Sequence, residues 1–128
     1  MKELIKVTNA EGREVSVIDS REVAVMLDRT HEDIMKMIQG SGKNLGLIPV
    51  LEKGNFHVSD YFIESTYKIN GNNKTYRCYL VTKMGCEMLG NKQRGEKGIL
   101  FTAKYVERFN QMERMLKQHL FLIFFSPS

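Results

Sequence analysis

An α+β fold follows from three features of the sequence. Two short helical patterns are separated by a brief break between residues 19 and 40, an Asn-Gly turn joins two strand-prone runs, and an apolar stripe of 3.6-residue period runs from Ile99 to about Leu120. Their order, a helix-turn-helix followed by a hairpin with a basic tip, predicts a winged-helix-like domain with β-hairpins and a long C-terminal helix. The expected division is residues 1–98 for that domain and 99–128 for the helix, which would pack on it or dimerise.

Residues 4–8 and 14–18 are β-branched segments flanking Asn-Ala-Glu-Gly and predict a first hairpin. Asp19 with Glu22 reads as a capping box, and Val23, Met26 and Leu27 then share a helical face. Asp28-Arg29 breaks that pattern. Thr30 caps the next helix, with Asp33 at its third position, Ile34, Met37 and Ile38 as its stripe, and Gly40 and Gly42 beyond its end. Residues 40–60 read as a loop with room for a short helical turn. Strand-prone Tyr61–Ile69 and Lys74–Val81 flank Asn70-Gly71, with Lys68, Lys74 and Arg77 around the tip. Thr82 caps a short helix to about Leu89, and Gly90 to Gly98 form a basic loop. Phe101, Tyr105, Phe109, Met112 and Leu116 make the apolar stripe of the last helix, with Glu107, Arg108, Glu113, Arg114 and Lys117 as its solvated flank.

Composition narrows the function. A chain of 128 residues, 42% hydrophobic, buries a sizeable core without metal or disulfide staples. Its longest apolar run, Leu120–Phe125, falls far short of the roughly 20 residues of a membrane-spanning helix. That run is expected to be covered by a second copy, with a truncated end as the alternative. The N-terminal stretch lacks an apolar signal core, so a cytoplasmic location is expected. Cys78 and Cys86 belong to no CxxC pair or histidine cluster and read as free thiols. His31, His57 and His119 are scattered, and no phosphate-binding glycine motif or metalloprotease motif occurs. Neither an enzyme nor a cofactor is expected.

Charge is uneven. Residues 1–60 hold 8 Lys/Arg against 10 Asp/Glu, whereas residues 61–128 hold 11 against 5. Within residues 68–97, Lys68, Lys74, Arg77, Lys83, Lys92, Arg94 and Lys97 stand against Glu87 and Glu96, and a polyanion is expected to be drawn to that stretch. In a winged-helix arrangement the second short helix enters the major groove while the hairpin touches flanking phosphates. The residues expected to meet double-stranded DNA are therefore Arg29, His31, Lys36 and Gln39 around that helix, and Lys68, Lys74 and Arg77 on the hairpin. Glu32 and Asp33 oppose close approach, or serve as ordinary first-turn acids. Tyr67, Tyr76 and Tyr79 are expected in cross-strand pairs and the core rather than stacked on bases.

Several of these residues also carry a resemblance. Ser20-Arg21 with Ala24, His31 with Ile34, Phe62–Lys68 (FIESTYK), Tyr79–Thr82, Gly85 and Tyr105–Glu113 (YVERFNQME) resemble the Rha family of phage regulatory proteins from about residue 16 to 113. Met84, Cys86 and Gly90–Gln93 depart from the family pattern. The resemblance implies a phage- or prophage-encoded protein that acts on DNA in the bacterial cytoplasm, in a family whose members often carry a second C-terminal domain. It supplies no catalytic residue or base contact. The leading expectation is a non-enzymatic DNA-binding transcriptional regulator, acting as a homodimer. The alternative is an antirepressor-like protein that binds another phage regulator through its C-terminal helix.

Overall fold

A computed structural model describes residues 5–8 and 11–125, apart from the side chains at 121 and 123–125. Strands β1 (Ile5–Thr8) and β2 (Glu14–Asp19) form the first hairpin, with Ile5 opposite Val17 and Thr8 opposite Glu14. The predicted turn residues 9 and 10 lie outside the described residues.

Helix α1 (Ser20–Leu27) begins on Asp19, whose carboxylate accepts the Arg21 N–H at 2.8 Å. It ends at Asp28, held in the left-handed region at φ 54°, whose N–H returns to the carbonyls of Ala24 and Val25. Helix α2 (His31–Gln39) is capped by Thr30, whose hydroxyl accepts the Asp33 N–H at 3.1 Å. Gly40, at φ 92°, stops it. A tight Ser41–Asn44 turn then folds Gly46 back so closely that a Cβ there would lie 2.3 Å from the Gly40 nitrogen.

Residues 40–60 hold more helix than expected. Helix α3 (Leu47–Lys53) and a 3₁₀ turn at Val58–Asp60 occupy them. Gly46 offers α3 no side-chain cap, and seven residues make barely two turns, so the local signal is weak. Burial of Leu51 in the main core holds α3 in place.

Strands β3 (Phe62–Lys68) and β4 (Thr75–Val81) pair along their full length, from Phe62 opposite Val81 to Lys68 opposite Thr75. Strand β2 joins β4 through Ile18 opposite Val81 and Asp19 opposite Leu80, giving the antiparallel order β1-β2-β4-β3. Two helices emerging from β2 and a hairpin returning to it make the predicted winged-helix-like arrangement.

Helix α4 (Lys83–Asn91) is capped by Thr82, whose oxygen accepts the Gly85 N–H and whose hydroxyl donates to the Asp60 carbonyl at 2.7 Å. Gly85 is required here, because a Cβ would sit 2.2 Å from the Tyr61 carbonyl oxygen. The loop predicted for Gly90–Gly98 is shorter than expected. Helix α5 (Glu96–Phe125) starts at Glu96 and runs 30 residues, about 45 Å.

One apolar cluster takes Ile18, Val23, Leu27, Ile34, Ile38, Phe62, Val81 and Leu89 together with Phe101, Tyr105, Phe109 and Met112 of α5, so the core runs across residue 98. Met112 is the last buried position described on α5; Leu120 and Leu122 beyond it are exposed.

Arg108 corrects the expected solvated flank. Its side chain is only 8% exposed and its Nε donates to the Glu22 carboxylate at 3.1 Å, tying α5 to α1. The residue stands beside Phe109 and one turn before Met112, at the margin of the apolar stripe where α1 lies. Nearby, Lys104 Nζ donates to the Met26 carbonyl at the C-terminal end of α1.

Candidate nucleic-acid interface

Helix α2 lies between the β3–β4 hairpin and the loop joining α4 to α5. Its buried stripe is Ile34 and Ile38. His31, Met35 and Gln39 turn toward α1 and the hairpin, whereas Asp33 and Met37 turn toward the α4–α5 loop. Only Glu32 and Lys36 are exposed, and they form an i,i+4 ion pair at 3.3 Å. Such surface pairs contribute about 0.3–0.5 kcal/mol, little enough for Lys36 to exchange partners.

On the hairpin side a polar and aromatic cluster fixes α2. Ser20 Oγ accepts the Tyr79 backbone N–H at 3.0 Å and lies 2.8 Å from His31 Nε2. Partial burial and the Arg21 guanidinium depress the His31 pKa below its ordinary 6.5, against the opposing pull of Asp19. Ser20 Oγ and His31 Nε2 share a hydrogen bond whose donor is set by the imidazole tautomer. His31 also meets the Tyr67 ring edge-on, and Tyr67 stacks on its cross-strand neighbour Tyr76 with centroids 5.5 Å apart. Arg21 lies 3.9 Å over the Tyr67 ring and makes two side-chain hydrogen bonds to Asp19. Burial pushes the Asp19 pKa up, but the hydrogen bonds and charge of Arg21, with His31, outweigh it and hold this carboxyl below the ordinary value.

Gln39 donates to the hydroxyl of the buried Tyr79 at 3.1 Å. Arg77 reaches Glu64 at 3.1 Å and remains exposed. Lys68 and Lys74 are exposed on either side of the turn, where Asn72 accepts the Lys74 N–H. The structure thus divides the predicted residues. Lys36, Lys68, Lys74 and Arg77 are presented to solvent, whereas His31 and Gln39 are half-buried and bonded to Ser20 and Tyr79.

Arg29 belongs to the other flank of α2. It lines a groove of about 370 Å3 with Asp33, Lys36, Asn44, Lys92 and Gln93. An adjoining hollow places Lys97 beside Asp28, Arg29 and Asp33. Lys92 Nζ donates to the Leu45 carbonyl at 3.2 Å, linking the α4–α5 loop to the turn after α2. The sequence placed Lys92 and Lys97 in the basic 68–97 stretch expected to draw a polyanion, without assigning either to a contact. Only the packing of α4 beside α2 brings them to Arg29 and Lys36. Ser20 and Arg21 were legible only as parts of the resemblance and Tyr67 as a cross-strand partner, yet Ser20 and Tyr67 meet His31 in space and Arg21 lies over Tyr67.

Among the described residues no helix is long and apolar enough to cross a membrane. The family model for phage regulatory protein Rha matches residues 18–114. Over 107 residues the chain is 37% identical to a Bacillus subtilis (strain 168) protein named "SPbeta prophage-derived putative antirepressor protein YoqD", a match covering 84% of this chain and 40% of that relative. No solved structure matches. A family model that spans the helix pair, the hairpin and the buried half of α5 decides the assignment: the chain belongs to the Rha family of phage regulatory proteins.

Proposed function

We propose that the chain is a phage- or prophage-encoded transcriptional regulator that binds double-stranded DNA in the bacterial cytoplasm, without catalysis and as a homodimer. The observation that carries this reading is the position of α2, bonded through Gln39 to the hairpin that carries Lys68, Lys74 and Arg77 and bordered on its other side by Arg29, Lys92 and Lys97. Cations on both flanks of a slim helix suit a groove bordered by two phosphate chains. Lys36 is the side chain best exposed to reach base edges, and His31 and Gln39 act mainly by setting the pose of the helix.

A salt titration tests the reading. Binding to random and phage-derived duplexes should weaken steeply with salt. Charge reversal at Lys74 or Arg77 should flatten the slope by about one for each phosphate no longer neutralised. Absence of binding at low ionic strength ends the proposal.

A second reading is favoured by the closed Glu32–Lys36 pair on the outer face of α2, by exposed Leu120 and Leu122 on α5, and by the name of the Bacillus relative. Here the chain captures another regulator through the outer half of α5, in the manner of an antirepressor. Binding of a phage repressor that survives charge reversal of the hairpin but not truncation after Glu113 would select this reading.

A further inference from the structure

The groove on the far flank of α2 is separate from the hairpin and meets the exposed edge of the helix at Lys36. We propose that it is a second backbone clamp: Arg29, Lys92 and Lys97, with Lys36 at the rim, grip the phosphodiester chain that runs beside α2 on the side away from the hairpin. This inference rests on the DNA-binding reading and extends it to Lys92 and Lys97, two residues from the segment between α4 and α5.

Three observations support it. First, the groove gathers cations from three separate stretches of chain: Arg29 in the turn between α1 and α2, Lys36 on α2, and Lys92 after α4. Lys97, on the first turn of α5, extends the row past Arg29. Asp28 and Asp33 border the hollows, so the balance is positive but not so strong that any anion would be held tightly.

Second, these cations are loosely held. Arg29 and Lys97 have no ion-pair partner among the described residues, Lys36 has only an exposed pair, and Lys92 gives a single hydrogen bond to a carbonyl. Gln93 lines the same groove and carries the one buried side-chain oxygen without a hydrogen-bond partner among the described residues, while its Nε2 donates to the Leu89 carbonyl. That oxygen accepts and a phosphodiester offers no donor, so the grip on a phosphate comes from the cations alone.

Third, the span selects the ligand. The cations occupy two adjoining hollows, Lys36 and Lys92 in one and Lys97 in the other, with Arg29 bordering both. One small anion cannot engage both ends of such a row, whereas successive phosphates of a duplex strand can. The hydrogen bond from Lys92 to the Leu45 carbonyl places its ammonium group beside the turn that follows α2.

The test uses the whole chain and a fluorescein-labelled duplex of random sequence, with anisotropy measured across a salt series. Lys92→Gln and Lys97→Gln should each lower the salt slope by about one and weaken binding several-fold at low salt. Lys117→Gln removes the same charge from the exposed outer half of α5 and should leave the slope unchanged. Lys92 has a structural hydrogen bond, so its variant is checked by thermal melting, and Lys97→Gln decides the matter if that variant is unstable. Groove variants that behave like Lys117→Gln, while Lys74→Gln lowers the slope, overturn the clamp and leave the DNA reading standing. A wild-type chain that does not bind the duplex at low salt overturns both.

Discussion

His31 is a residue whose sequence setting and final role differ. In the sequence it stands at the exposed start of a helix; in the fold it is half-buried against Ser20 and Tyr67. Its depressed pKa makes a prediction about pH. Between the unfolded value near 6.5 and the lower folded value, the unfolded chain binds the proton more readily, so stability falls as pH drops through that window. Urea unfolding at pH 7.5 and pH 5.5 should show the loss in the wild type and a smaller one in His31→Gln; equal losses would place the acid sensitivity elsewhere. Asp19 contributes in a different window. Its lowered pKa stabilises the fold above the ordinary value of 3.8, and that contribution is lost only as pH falls through the lower folded value. The thiols of Cys78 and Cys86 are buried, which raises both pKa values and keeps them protonated.

Among the elements, α5 depends most on a contact distant in sequence. The Arg108–Glu22 pair spans 86 positions and sits at the margin of the core. Arg108→Ala should cost about 2–4 kcal/mol, because it breaks a largely buried ion pair and also removes packing against α1. A denaturant midpoint shifted by much less would mean that water reaches Glu22 and solvates it. The sequence made most elements legible where local signals were strong: the Asp19, Thr30 and Thr82 caps, the Asn-Gly turn and the Phe101-to-Met112 stripe all reappear. It concealed α3, which lacks a side-chain cap, and the true start of α5, because Gly98 sits within its first turn. Arg108 was misplaced because a cation beside an apolar stripe looks solvated until its partner helix is known. The site was legible as a set of cations but not as a layout, since which flank of α2 each one reaches depends on how the hairpin and α4 pack.

For the molecule as a whole, the arrangement of strands matters more than their number. Strand β2 divides its length: Glu14 to Val17 pair with β1, and only Ile18 and Asp19 pair with β4. Seven residue pairs, by contrast, join β3 to β4. Although Glu14, Val15 and Ser16 border a hollow shared with Phe109 and Glu113 of α5, by strand pairing the β1–β2 hairpin is tied to the rest of the sheet at one end alone. In deuterated buffer its amides should exchange well before those of β3 and β4, and matched protection across all four strands would refute this. A hairpin joined to the rest of the sheet through two residue pairs transmits little strain across that joint, so a fluorophore at the exposed Thr8 should leave the polar seam around Ser20 and His31 intact and report on the protein at work.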